Sequence, residues 1–157
     1  MRVLIVYDSV SASKMTMTVA QTIAETLKEK GVDVDLFYFK DVDVTAVKSY
    51  DCLIAGAPTM AFRPSPGITQ FLDSLPGEEF KGKGKRGAAF DTQMQTALSG
   101  NAAKGIQKRL ESLGLSIFRP PLVVYVESKE KNIWQFKAGE LEKAKEWALE
   151  TAAALSG

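Results

Sequence analysis

The chain has 157 residues, of which 45% are hydrophobic and 25% charged, with a formal net charge of +1. That size and balance suit a single globular domain over residues 1–157 and exclude a disordered chain; the near-zero charge gives no field to gather nucleic acid or an anionic membrane. Histidine is absent and Cys52 is the lone cysteine, which excludes His-based acid–base catalysis, a zinc site and an internal disulfide, and leaves redox chemistry to a bound cofactor.

Val3-Leu4-Ile5-Val6-Tyr7 opens the chain as a short apolar run, the pattern of a strand buried on both faces of a parallel sheet. It is too short for a secretory h-region, and no run approaches the ~18 apolar residues of a membrane span. An unpaired cysteine suits a reducing compartment, so the expectation is a soluble, cytoplasmic protein. Val19, Ala20, Ile23, Ala24 and Leu27 then recur at helical spacing, and Gly31 stops that helix. Val32 to Tyr38 reads as a second strand. Val42 to Tyr50 carries only a faint pattern, that of a short helix or loop. Leu53-Ile54-Ala55-Gly56 is the third strand, and Ile68, Phe71, Leu72 and Leu75 form the next helical stripe. Gly87 to Asp91 is a fourth strand of small residues. Ile106, Leu110 and Leu113 mark a helix ending at Gly114. Leu122 to Val126 is the fifth strand, and Leu141, Ala144, Ala148, Ala152 and Leu155 make the last helical stripe.

Strands alternating with helices predict an α/β fold: a doubly wound, five-stranded parallel sheet in three α-β-α layers, with right-handed crossovers. In such sheets ligands sit beyond the carboxyl ends of the strands, at the switch point. Three loops are therefore candidates. The first carries Ser9, Ser11, Ser13, Lys14, Met15 and Thr16, where hydroxyls and the N–H groups of a helix start can meet phosphate oxygens; its plainer reading is an N-cap in a solvated loop. The second holds Pro58, Thr59, Met60, Ala61 and Phe62. Met60 and Phe62 can pack a flat aromatic ligand or fold back on the core. The third, from Asp91, Thr92 and Gln93 to Gly100, offers amides and hydroxyls for the polar edge of a ring.

Strand one with Ser9–Thr16, the Gly56-Ala57-Pro58-Thr59 turn and the Phe90-Asp91-Thr92 turn resemble the three flavin loops of short-chain flavodoxins and of the flavodoxin domain of flavo-diiron proteins. The resemblance covers nearly the whole chain, and flavodoxin is itself one of the folds from which the switch-point rule is known. It implies the strand order 2-1-3-4-5, FMN as cofactor with its phosphate in loop one and its ring between loops two and three, low-potential one-electron carriage, and redox proteins as partners of a monomer or weak dimer. Four departures stand out. Lys14 and Met15 replace the family's Gly-Asn pair in a loop about two residues longer than usual. Met60 stands where a Trp or Tyr is usual, and no Tyr lies between Asp91 and Gly100. Ala61 stands where a glycine peptide flips on flavin reduction. The chain is near neutral where flavodoxins are mostly acidic, which predicts a less negative potential.

Gly82-Lys83-Gly84-Lys85-Arg86-Gly87 matches a dinucleotide fingerprint literally, but it precedes a strand instead of opening a helix, so it reads as a solvated basic loop. Trp134 and Phe136 fall in the predicted loop before the last helix, as a lid or as edge packing. The alternatives to an electron carrier are an FMN-dependent quinone or NAD(P)H reductase and a binding module that has lost its flavin.

Overall fold

A computed structural model describes residues 1–11, 13–60, 62–96 and 100–156. The strands are β1 (Arg2–Tyr7), β2 (Asp33–Tyr38), β3 (Cys52–Met60), β4 (Arg63–Pro64), β5 (Arg86–Met94), β6 (Ser116–Ile117), β7 (Leu122–Glu130) and β8 (Ile133–Phe136). The helices are α1 (Met15–Glu29), α2 (Pro66–Asp73), α3 (Ala102–Ser112) and α4 (Glu140–Ser156). The main sheet runs β2-β1-β3-β5-β7-β8, and its first five members are parallel. This is the expected order 2-1-3-4-5 with an antiparallel strand, β8, added at one edge. Short β4 pairs antiparallel with β3, and β6 pairs parallel with β5. Val42 to Tyr50 contains a 3-10 helix, Val44–Ser49, after a first 3-10 turn at Phe39–Asp41.

Side chains alternate across a strand, so each buried strand feeds two cores. Val3 and Ile5 of β1 join Ile54, Phe90 and Val124 under α1 and α4, with Val19, Ile23, Leu27, Ala144 and Trp147. Leu4 and Val6 join Leu53 and Ala55 under α2 and α3, with Ile68, Phe71, Leu72, Ile106 and Leu110. Apolar runs without polar alternation in β1 and β3 follow from this burial on both faces.

Three local expectations are corrected. The third strand continues past Gly56 to Met60, so Pro58 and Thr59 lie on β3 and not in a turn. Pairing with β5 carries it on, through Gly56↔Phe90, Ala57↔Asp91 and Pro58↔Thr92. Proline is tolerated there because β1 pairs with β3 only as far as Gly56, leaving no partner on that side for the missing N–H. The fourth strand likewise runs on past Asp91 to Met94, held by β7, so Thr92 and Gln93 are strand residues too. Trp134 and Phe136 are on β8 and not in a loop. A two-residue turn at Lys131 and Asn132 joins β7 to β8, with Asn132 left-handed at φ 65°.

Candidate functional site

A cleft of about 240 Å³ opens beyond the carboxyl ends of β1, β3 and β5. Loop one supplies Ser9, Val10 and Ser11, and the first turn of α1 adds Met15 and Thr16. The ends of β3 and β5 add Pro58, Thr59, Met60, Thr92, Gln93 and Met94. Val126 of β7 and Trp134 of β8 close the far side. Among the described residues no charged side chain lines it. Hydroxyls cluster towards loop one, while the methionines, Val126 and Trp134 make an apolar half. Val10, Met60 and Met94 stand 54%, 40% and 46% exposed at its mouth, where a solvated protein surface would otherwise bury or replace them.

Loop one is fixed at both ends. The Asp8 amide donates to the Gly56 carbonyl, and Ser65 Oγ donates to Asp8 Oδ2 at 2.5 Å, pinning the loop to β3 and to the start of α2. Lys14 then adopts φ 51° and ψ 42°, a left-handed conformation costly for a residue with a Cβ, and its amide donates to the Ser11 carbonyl. The backbone thus makes a glycine-like bend at a residue that is not glycine. The bend starts α1 with no side-chain cap and no acid in the first turn. The N–H groups of Met15, Thr16 and Met17 have no intrahelical acceptor.

Across the floor, Thr16 and Thr92 share a buried hydroxyl–hydroxyl hydrogen bond of 2.8 Å, tying α1 to β5. Behind the β3–β5 wall lies Asp91, fully buried. Its Oδ2 accepts from Gln93 Nε2 at 2.8 Å, from the Ala103 amide at 3.0 Å and from Thr59 Oγ1 at 3.2 Å. Thr59 Oγ1 in turn accepts from the Ala102 amide. One carboxyl thus caps α3 and orients two cleft residues. Its Oδ1 has no partner among the described residues, and burial pushes the carboxyl up to about 6 against the lowering pull of its donors.

Of the residues singled out from the sequence, Ser9, Ser11, Met15, Thr16, Pro58, Thr59, Met60, Thr92 and Gln93 come together on the cleft wall. Asp91 does not; it acts through Thr59 and Gln93. Ser13 Oγ accepts from the Trp134 amide at 3.1 Å, which joins loop one to β8. Lys14 is exposed and off the wall. Phe62, 59% exposed and at φ 72°, pairs with Gly100, where a Cβ would fall 2.5 Å from Phe62 Cα; the two shape each other outside the cleft. Ala61 lies outside the described residues. Val10, Met94 and Val126 were missed, and Trp134, read from the sequence as a lid or as edge packing, lies on the wall. The I-W-Q-F alternation of β8 was the available clue to Trp134, hidden by the polar run before it.

These groups fit FMN. First-turn backbone donors without intrahelical acceptors, at a positively poled helix start that has no side-chain cap, suit a phosphate, and the apolar half suits a flat ring. No curated protein sequence matches the chain significantly. Among solved structures, a flavodoxin from the domain Archaea superposes with a TM-score of 0.77 at 21% identity over 100% of both chains. Flavodoxin 1 from Bacillus cereus gives 0.76 at 18%, over 99% of this chain and 97% of that one. Rubredoxin oxygen:oxidoreductase from Desulfovibrio gigas gives 0.78 at 24%, over 99% of this chain but only 36% of its own. These likenesses show the fold. The sequence itself matches the flavodoxin family model over residues 5–151, nearly its whole length, and the chain therefore belongs to the flavodoxin family of FMN-binding electron-transfer proteins.

Proposed function

We propose that this protein carries electrons one at a time, at low potential, between redox partner proteins, as a monomer or weak dimer in the cytoplasm. The observation that carries this reading is the chemistry of the cleft wall: among the described residues it contains no titratable side chain. FMN supplies the electron chemistry. The chain's own part is to bind, orient and shield it. Met15 and Thr16 present first-turn N–H groups for the phosphate, with the Ser9 and Ser11 hydroxyls beside them. Met60, Met94 and Val126 exclude water from the ring, while exposed Met60 and Met94 leave an apolar edge for outer-sphere exchange. A reductase with its own substrate would need a proton donor or acceptor within reach, and among the described residues the wall holds no titratable group.

The neutral wall also sets the expected potential. A carboxylate near the ring penalises the anionic reduced flavin, and among the described residues no carboxylate lines the cleft. The FMN-loaded protein is expected to show a reduced-flavin couple less negative than that of acidic flavodoxins. Redox titration checks this. Rapid one-electron exchange with a small acceptor, with no NAD(P)H oxidation, supports a carrier; turnover with NAD(P)H and a quinone would overturn it in favour of a reductase. Absence of FMN binding at roughly millimolar concentration, about −4 kcal/mol or weaker, would leave only the flavin-free module.

A further inference from the structure

Met60 and the stretch from Asp91 to Gly100 lack the aromatic residues that flank the ring elsewhere in the family. The cleft nevertheless has one aromatic side chain among its described lining residues, and it comes from an unexpected element. Trp134 lies on β8, the antiparallel strand added beyond the parallel sheet.

Four features make it a built wall and not a stray surface ring. The β7–β8 hairpin is closed by a two-residue turn. Trp134 and Phe136 point to one face of β8, since successive side chains alternate. Phe136 packs on the core beneath α1 and α4, which anchors that face inward. Val126 pairs with Phe136, so Trp134 is its diagonal neighbour, and both reach the cleft. Finally, the Trp134 amide donates to Ser13 Oγ at 3.1 Å, which ties the hairpin to loop one. Ser13 is thereby engaged in positioning Trp134. Trp134 is half-buried and lines the cleft.

We propose that Trp134, held by Ser13, is the residue against which the FMN ring packs, so that the β7–β8 hairpin takes over the aromatic contact that loops two and three do not provide. This rests on the FMN reading. Flat π-systems gain by offset or tilted stacking beyond their burial alone, and indole is the largest ring available to do it. The contact places an electron-rich ring beside the flavin, which disfavours the electron-rich reduced form and so opposes part of the neutral wall's effect on the potential.

The test uses the full chain titrated with FMN, wild type against Trp134→Leu and Trp134→Phe. Indole in van der Waals contact quenches flavin emission by transferring an electron to the excited ring, a short-range effect. The chain has two tryptophans, and the other, Trp147, is buried in α4 with its Nε1–H donated to the Pro120 carbonyl, away from the cleft wall. Its emission therefore reports folding in the Trp134 variants. Wild type is expected to bind FMN with strongly quenched flavin emission. Trp134→Leu should bind about tenfold more weakly, the scale of one lost ring stack, and its complex should emit several-fold more brightly. Trp134→Phe should keep most of the affinity and still brighten. Unchanged affinity and unchanged quenching in both variants would overturn the proposal while the FMN reading stood. Failure of wild type to take up FMN would overturn both, and is told apart because it precedes any comparison of variants. Should Trp134→Leu lose the Trp147 signature of the folded state, brightening in Trp134→Phe decides alone.

Discussion

Replacing Asp91 with Asn removes the one strongly displaced carboxyl behind the cleft and keeps its shape. Burial holds the Asp91 carboxyl at about 6, above its ordinary 3.8, although the Ala103 amide, Gln93, Thr59 and the Ala102 amide all favour the charged form. No charged side chain figures among the causes, so the shift belongs to the burial of the group itself. The folded chain therefore binds this proton more tightly than the unfolded chain. The stabilisation is fully present below the unfolded value of 3.8 and is lost as pH rises through about 6. A displacement of that size corresponds to about 3 kcal/mol. In Asp91→Asn, Oδ1 can accept the same three hydrogen bonds, and nothing titrates. The variant should therefore gain on wild type by up to about 3 kcal/mol between pH of about 4 and about 8, a relative shift of roughly 1–2 M in urea midpoint. Urea denaturation across that range measures it. FMN-free protein is required, because a phosphate monoester also titrates near pH ~6. All other titrations cancel in the difference between the two proteins. Parallel pH profiles, or a difference that moves against Asn as pH rises, would refute the reasoning.

Lys14→Gly should stabilise the FMN-free protein by about 0.5–1 kcal/mol, because relief of a left-handed backbone exceeds the entropy glycine adds to the unfolded chain. Thermal unfolding should show a rise of about 2–4 °C, and a fall would mean that the Lys14 side chain contributes more than its backbone costs. Gly56→Ala should destabilise by about 3 kcal/mol or more, or fail to fold. Its Cβ would lie 2.1 Å from the Phe90 ring in the paired strand, with packed core behind; Phe90→Leu in the same chain should recover part of the loss in urea denaturation. Cys52 is buried at the start of β3 and burial pushes its thiol up to about 12, so thiol reagents should modify it at the rate of global unfolding. Fast labelling in the native protein would contradict its placement.

The order of strands and helices was legible because it depends on local periodicity. Apolar runs such as Val3–Val6 announce strands buried on both faces, and stripes such as Val19, Ile23 and Leu27 announce the helices that cover them. The edge that binds ligand followed from that order, since only one end of a doubly wound sheet collects the strand-to-helix loops. What the sequence by itself determined, then, is the layered architecture, the switch point and most of the hydroxyls and methionines at it.

Where each strand stopped could not be read, because strand length depends on partners distant in sequence. Thr59 and Gln93 are strand residues because Pro58 pairs with Thr92 and Met94 with Val126. Asp91 became a buried, hydrogen-bonded cap of α3 for the same reason, whereas the residue types alone put it at the end of the fourth strand, where the ligand loop begins. Trp134 reached the cleft only through the β7–β8 hairpin and a hydrogen bond to Ser13, a residue 121 positions away. Local preference writes the elements, but pairing and burial between remote segments decide which side chains face the flavin site, and those energies exist only once the chain has closed on itself.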